Sequence, residues 1–268
     1  MLSGMKENNL NCQVMSKSTI EWTNTTWNPV TGCDKVSQGC KYCYAEIMSK
    51  RLQAMGVKKY KDNFKVREHP ETLKEPSTWK KPRLVFVNSM SDLFHKEVST
   101  DFIKQVFKVM NENPKHTFQV LTKRADRLLE LSSEINWTPN IWMGVSVENE
   151  DVLERVDYLK QTGAQIKFLS IEPLLGPVDD LNLNGINWVI VGGESGPKSR
   201  PMKVEWVNQI HKKCTEVGAP FFFKQWGTWG SDGIKRSKKT NGRLLNGRTY
   251  DEIETTAANY LLTNKLKK

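Results

Sequence analysis

No apolar run in this chain approaches the roughly 20 residues that cross a bilayer, so no membrane span and no membrane partner is expected. The opening residues, MLSGMKENNLNCQVMSKS, lack the apolar centre of a secretory signal. Cysteine is scarce, at five in 268 residues. That number and its uneven spacing exclude a secreted disulfide framework and fit a reducing cytoplasm. No G-x-G-x-x-G follows the first strand-like segment, which argues against a dinucleotide-binding open sheet. No internal repeat is found.

What the chain does have is positive charge, +10 overall. Residues 235–248 hold Lys235, Arg236, Lys238, Lys239, Arg243 and Arg248 with no acid among them, and Lys198, Arg200 and Lys203 form a second basic spot. Such runs are either solvated tails or contacts for nucleic acid or another phosphate-bearing partner. Hydrophobic residues at 38% and charged residues at 26% suit a folded protein with a real core.

Apolar and polar segments alternate along the chain. Residues 84–90, 117–122, 141–147, 166–172, 187–193 and 220–225 are short, apolar and β-branched or aromatic, the pattern of buried strands. A seventh strand is expected at 26–32, before the first clustered cysteine. Helical periodicity covers 99–112, with Ser99 or Thr100 as N-cap, then 124–135, 149–161 and 203–217, the last ended by Gly218. A helix is expected within 45–55, and a short helix or loop at 173–183. Strands alternating with helices predict a parallel α/β sheet curled into a full or partial (β/α) barrel, with the site at the carboxyl ends of the strands. The domain plan read here is a disordered extension over 1–17, a barrel over 18–226, and a basic extension over 227–268 packed on the barrel rim. Trp226 and Trp229 beside the cations of that extension suggest a lid that stacks bases.

Each strand-like segment ends in polar residues while its body has almost none. Asn88, Ser89, Ser91 and Asp92 follow the second, and Lys123 and Arg124 the third. Ser146 and Glu148 follow the fourth, and Glu172 the fifth. Gly192, Gly193, Glu194 and Ser195 follow the sixth, and Lys224 and Gln225 the seventh. Helix caps account for some of these. Three glutamates on one rim need a ligand or cations to answer them, and Lys123, Arg124 and Lys224 are candidates. The paired glycines are read as a close backbone approach to a ligand.

Cys33, Cys40 and Cys43 follow the first strand, in TGCDKVSQGCKYCYAE. Three thiolates are one short of a closed structural zinc site, but on a four-iron cluster they leave one iron open. A Cys-x-aromatic-Cys loop at that place in a (β/α) barrel resembles the radical S-adenosylmethionine superfamily. The stretch from 18 to about 254, with IEWTNTTWNPVTGC, SIEPLLGP, VIVGGESG and FFFKQWG, is similar to a phage and mobile-element family marked by the same loop. The resemblance implies a [4Fe–4S] cluster on Cys33, Cys40 and Cys43. It also implies S-adenosylmethionine on the open iron, a 5′-deoxyadenosyl radical, and an electron donor of flavodoxin or ferredoxin type. Two departures stand: six residues separate Cys33 from Cys40 where the superfamily commonly has three, and Gly-Gly-Glu follows the sixth strand rather than the second. By position, Asn88, Ser89 and Ser91 are then candidates for the methionyl end of the cofactor, and Ser146 and Glu148 for its ribose. The backbone at 191–193 is the candidate for adenine, with Tyr42 and Glu194 nearby. Asp92, Glu172 and Lys224 are the catalytic candidates. The alternative is a zinc-stabilised nucleic-acid-binding protein without catalysis, with Cys12, His69 or His95 as a fourth ligand.

Overall fold

The structure, a computed structural model, describes residues 20–254. The expected extension over 1–17, Cys12, and the tail from 255 lie outside the described residues. In chain order the strands are β1 (Thr25–Trp27), β2 (Val30–Thr31), β3 (Arg67–Glu68), β4 (Leu84–Val87), β5 (Thr117–Thr122), β6 (Ile141–Ser146), β7 (Ile166–Ile171), β8 (Trp188–Gly192) and β9 (Phe221–Gln225). The helices are α1 (Tyr44–Ala54), α2 (Glu75–Thr78), α3 (Thr100–Asn111), α4 (Ala125–Leu131), α5 (Glu154–Lys160), α6 (Val204–Val217) and α7 (Lys238–Asn241).

Seven strands form one sheet in the order β1-β4-β5-β6-β7-β8-β9, and every pairing in it is parallel. The sheet is a curled half-barrel. Its curl shows in the contacts of Trp22, whose ring centroid lies 4.7 Å from that of Phe86 on β4 and 6.2 Å from that of Trp188 on β8. A flat sheet would hold those two strands about 19 Å apart. Alternation puts Phe86, Trp142, Phe168, Trp188, Ile190 and Phe222 on the concave face with Trp22. Gly144 makes room there, since a Cβ on it would stand 2.5 Å from the Phe168 ring. The other face packs under the helices in the main core, through Val85, Val120, Met143, Leu169, Val189 and Phe223.

Local signals account for the helix ends. Ser99 Oγ accepts the Phe102 N–H at 3.2 Å and caps α3. Gly218, at φ +70, ends α6 in the left-handed region that glycine adopts without strain.

Three expectations are corrected. The first strand does not run over 26–32: Pro29 has no N–H to donate, so β1 stops at Trp27. β2 leaves the sheet and pairs antiparallel with β3. Residues 173–183 form a loop, one of the two forms expected there. The expected 149–161 helix begins as a 3₁₀ turn, Glu150–Val152, before α5. The expected 124–135 helix closes as one, Ser132–Glu134, after α4.

Residues 227–254 fold back on β9. Tyr250 C=O accepts the Phe223 N–H at 3.0 Å, and Asp251 bridges antiparallel to Phe222. This covers the open edge of the sheet. Trp226 is fully buried against Phe223, and its Nε1 donates to Leu244 O at 2.8 Å. It is therefore not available to stack bases.

Candidate functional site

The carboxyl ends of the sheet strands open into a cavity of about 450 Å³, the position expected for a parallel α/β fold. Cys33, Cys40, Tyr42 and Cys43 line it from one side. Asn88, Ser89, Ser91 and Asp92 line it from the end of β4, and Ser146 from β6. Glu172, Gly193, Glu194 and Lys224 complete the rim, over an apolar wall that includes Trp22, Phe86 and Leu121. Two candidates do not join it: Glu148 is buried beneath the rim, and Gly192 is covered by the Glu172 carboxylate, 3.1 Å from where its Cβ would be.

The cysteine loop is set by close backbone packing. Gly32, at φ +81, has space for no Cβ, which would stand 2.1 Å from Lys65 O. Cys33 follows it. Cys40 ends a 3₁₀ turn, Gln38–Cys40, and Cys43 stands at the N-cap of α1. All three are half-buried and unbridged. Cys33 Sγ accepts from Arg124 Nη1 at 3.4 Å. Burial and the neighbouring Asp92 push the Cys33 thiol up to about 12, with Arg124 opposing the rise. A cation held between the sulfurs would oppose that rise. Among the described residues, no three His, Cys, Asp or Glu groups stand closed at metal-binding distance. The donor chemistry fits an iron–sulfur cluster: three soft ligands, none lost to a disulfide, all facing one cavity.

Ion pairs answer the rim carboxylates: Lys123 and Lys224, two of the three expected cations, meet Glu148 and Glu172, whereas Arg124 goes to Asp92, and Arg155 and Arg200 supply the rest. Glu148, 1% exposed, meets Arg155 at 3.0 Å and Lys123 at 3.2 Å, and accepts from Ser37 Oγ at 2.8 Å. Glu172 holds Lys224 through both oxygens at 2.8 Å. Glu194 pairs with Arg200 at 2.7 Å, and Arg200 in turn donates to Gln38 O at 2.9 Å and lies over the Tyr42 ring. Arg124 answers Asp92 at 3.0 Å and also bonds Asp34. Burial acts to raise the Asp34 carboxyl, but His95 and Arg124 outweigh it and hold the group below its ordinary value. Sequence reading missed Asp34 and Arg155, and gave His95 and Arg200 other roles, as a zinc ligand and as part of a basic spot.

The serines after β4 are partly committed. Ser89 Oγ donates to Asn28 Oδ1 at 3.1 Å and Ser91 Oγ to Val30 O at 3.0 Å. Asn88, at φ +60, accepts the Val30 N–H at 3.1 Å through Oδ1, while its Nδ2 is buried with no partner. Gln225 mirrors it. Its Nε2 donates to Glu172 and Ser195, at 3.4 and 3.3 Å, and its Oε1 is buried with no partner. One orphaned donor and one orphaned acceptor on the lining of one cavity are what a bound polar ligand would satisfy. The glycine pair reads differently from expectation. A Cβ on Gly193 would stand 1.9 Å from Trp226 O, so the close approach there is to the protein's own backbone.

The basic stretch is largely consumed by the fold. Arg236 pairs with Asp232 at 2.7 Å and Lys238 with Glu21 at 3.4 Å. Arg243 donates to Lys224 O at 2.9 Å, Lys235 to Pro197 O at 2.5 Å, and Arg248 lies over Tyr250. Among the described residues Lys239 alone of the six has no such contact. Trp229 Nε1 donates to Ser199 O at 2.7 Å.

Residues 17–254 match the family described as protein of unknown function (DUF5131). The chain belongs to this family. No curated protein matches it. Two solved structures are similar: spore photoproduct lyase complexed with dinucleoside spore photoproduct, and a point mutant of spore photoproduct lyase. They are 11% and 12% identical, each with a TM-score of 0.47 over 77% of this chain. The chain covers 65% of the length of each.

Proposed function

We propose that this protein is a radical S-adenosylmethionine enzyme acting on a nucleic acid, nucleotide or other phosphate-bearing substrate. In this reading Cys33, Cys40 and Cys43 hold a [4Fe–4S] cluster whose open iron takes S-adenosylmethionine. One observation carries it: three unbridged cysteines and the polar ends of a parallel half-barrel line the same cavity of about 450 Å³. That volume is in the ordinary range for cofactor and small-molecule sites. When bound, the cluster and S-adenosylmethionine together supply one-electron chemistry that removes a hydrogen atom from the substrate.

The chain's own residues bind, orient and shield. Asn88 Nδ2 is a fixed donor for the methionyl carboxylate, because its other end is tied to Val30. Ser146 serves the ribose and the backbone at Gly193, the one residue of 191–193 on the cavity wall, the adenine, with Gln225 Oε1 as an acceptor. Tyr42, held by Arg200, closes one side. Trp22, Phe86 and Leu121 keep water from the reacting atoms. Asp92 is a positioning group, since Thr122 Oγ1 at 2.7 Å and Arg124 at 3.0 Å already occupy it. Glu172 and Lys224 remain as the pair able to hold or move a proton at the substrate. Lys123, Lys224 and Lys238 line the cavity and would meet phosphate. The likeness to phage and mobile-element proteins, a cytoplasmic setting and a flavodoxin- or ferredoxin-type donor belong to the same reading.

Zinc fits less well. His69 Nε2 is bonded to Thr31 Oγ1 at 2.8 Å, and His95 Nε2 faces Asp34 at 3.0 Å. The experiment is anaerobic reconstitution with iron and sulfide. Brown cluster absorbance in the wild type, lost in Cys33→Ala/Cys40→Ala/Cys43→Ala, is expected. Tight stoichiometric zinc with no cluster would replace this reading with the zinc one.

A further inference from the structure

Among the described residues nine large hydrophobic side chains are exposed, and six of them fall between Val36 and Val57. Four lie on α1 or its end, at Tyr44, Ile47, Met48 and Met55, with Met55 76% exposed. The spacing i, i+3, i+4, i+11 sets them along one face of the helix. The adjoining face, about 100° round the helix, already has its packing, through buried Ala45 and Ser49 and half-buried Leu52. A helix that only faces water has no use for such a stripe, and a contiguous exposed apolar patch marks an interaction surface.

The surroundings of the stripe are basic. Residues 33–68 hold nine Lys and Arg against four Asp and Glu, half of the chain's +10 in a short segment. Lys35 and Lys50 share Glu46, at 3.5 and 3.4 Å. Arg51, Lys58 and Lys61 are exposed, and among the described residues they pair with no carboxylate. The patch is also next to the cysteines. Ile47 and Met48 lie about 6–8 Å along the helix from Cys43, yet neither lines the cavity.

We infer that this face of α1, with Val36 and Val57 at its ends, docks an acidic one-electron carrier protein. The inference rests on the reading above, which requires such a donor. Charge complementarity supplies the sign of the partner and steers its approach. The aliphatic centre points to protein rather than nucleic acid. Ile, Met and Val fill an apolar contact, and Met adapts its shape to a partner. Base recognition would use aromatic platforms, and five of the six exposed side chains here, Val36, Ile47, Met48, Met55 and Val57, are not aromatic. A carrier centred on Ile47, Met48 and Met55 would sit about one helical turn from the cluster ligands, with Tyr44, which also lines the cavity, at its edge.

The test uses purified oxidised flavodoxin as probe, with binding measured by calorimetry at low and raised salt. Wild type should bind at low salt and weaken as salt rises. Ile47→Asp/Met48→Asp should weaken binding roughly tenfold or more, with an unchanged melting temperature because both side chains are exposed. Lys238→Ala/Lys239→Ala should bind as wild type, and basic cytochrome c should not bind. Absent flavodoxin binding, or equal binding by the double variant, overturns the inference. So does a double variant that loses single-stranded DNA binding instead, which would assign the face to nucleic acid. Binding is read without turnover, so the two readings fail separately. A cluster without docking sinks this inference, whereas docking without a cluster sinks the enzyme reading.

Discussion

Replacing Glu148 by alanine should destabilise the whole domain and loosen the cysteine loop. The carboxylate is 1% exposed and the side chain of Arg155 7%, with 3.0 Å between them. Removing one partner leaves a guanidinium in the interior with only Ser146 O, at 2.9 Å, to receive it. Breaking a buried pair in this way costs about 3–5 kcal/mol, a large part of the roughly 5–15 kcal/mol that keeps a domain folded. For a domain of this size that is a fall in melting temperature of about 6–20 °C. The loop should feel it too, because Ser37 Oγ donates to the same carboxylate at 2.8 Å. A Cβ on Gly39 would come within 2.3 Å of it, so the turn rests directly on Glu148. Thermal melting of Glu148→Ala, Glu148→Gln and Glu148→Ala/Arg155→Met checks the argument. The glutamine variant should fall between wild type and alanine, and the double variant should recover most of the loss, since no guanidinium is left unpaired in the interior and Lys123, 19% exposed, can turn to water. Alkylation of Cys40 should be faster in Glu148→Ala than in wild type. An alanine variant melting within about 2 °C of wild type, less than 1 kcal/mol by the same conversion, would refute the reasoning. A double variant no better than the single one would refute it equally.

Two further outcomes are expected. Burial holds the imidazoles of His69, His116 and His211 below their ordinary value. The unfolded chain therefore binds protons first, below about pH 6.5, and their contribution to stability is lost as pH falls from there toward the folded values. Melting should show this as a declining temperature on acidification, with a shallower slope in His116→Gln; an identical slope would contradict it. For nucleic acid, binding of single-stranded oligonucleotides across a salt series should give a log–log slope of only about 2–3, because most cations of 235–248 are occupied. Lys238→Ala/Lys239→Ala should lower that slope, and no binding at low salt would leave a small-molecule substrate.

Much of the architecture was legible because it rests on local chemistry. Runs such as LVFV and WVIVG are apolar on both faces, which only a buried parallel sheet tolerates. Ser99 and Gly218 mark helix ends by their own conformational preferences. The three cysteines, and the polar residues that end each strand, are adjacent to those runs in sequence, so their arrival at one rim followed from the fold class. The break at Pro29 was also written in the chain, as a missing N–H, although the strand was expected to run through it.

Only the tertiary structure decided which charges meet. Glu148 finds Ser37 across 111 residues and Arg124 finds Cys33 across 91. Arg200 reaches Gln38 across 162. Such pairs are set by strand register and sheet curl, which sum many weak contacts over the whole chain and leave no periodic trace. The same holds for Gly193, read from sequence as a close approach to a ligand, where the backbone of Trp226 fills the place of a Cβ. It holds for the basic stretch, whose cations look free until the fold brings Glu21 and Asp251 beside Lys238 and Arg243. Composition determined that this chain has a parallel sheet and a cysteine-lined rim; packing at distance determined which rim residues are left with an unused hydrogen bond to offer.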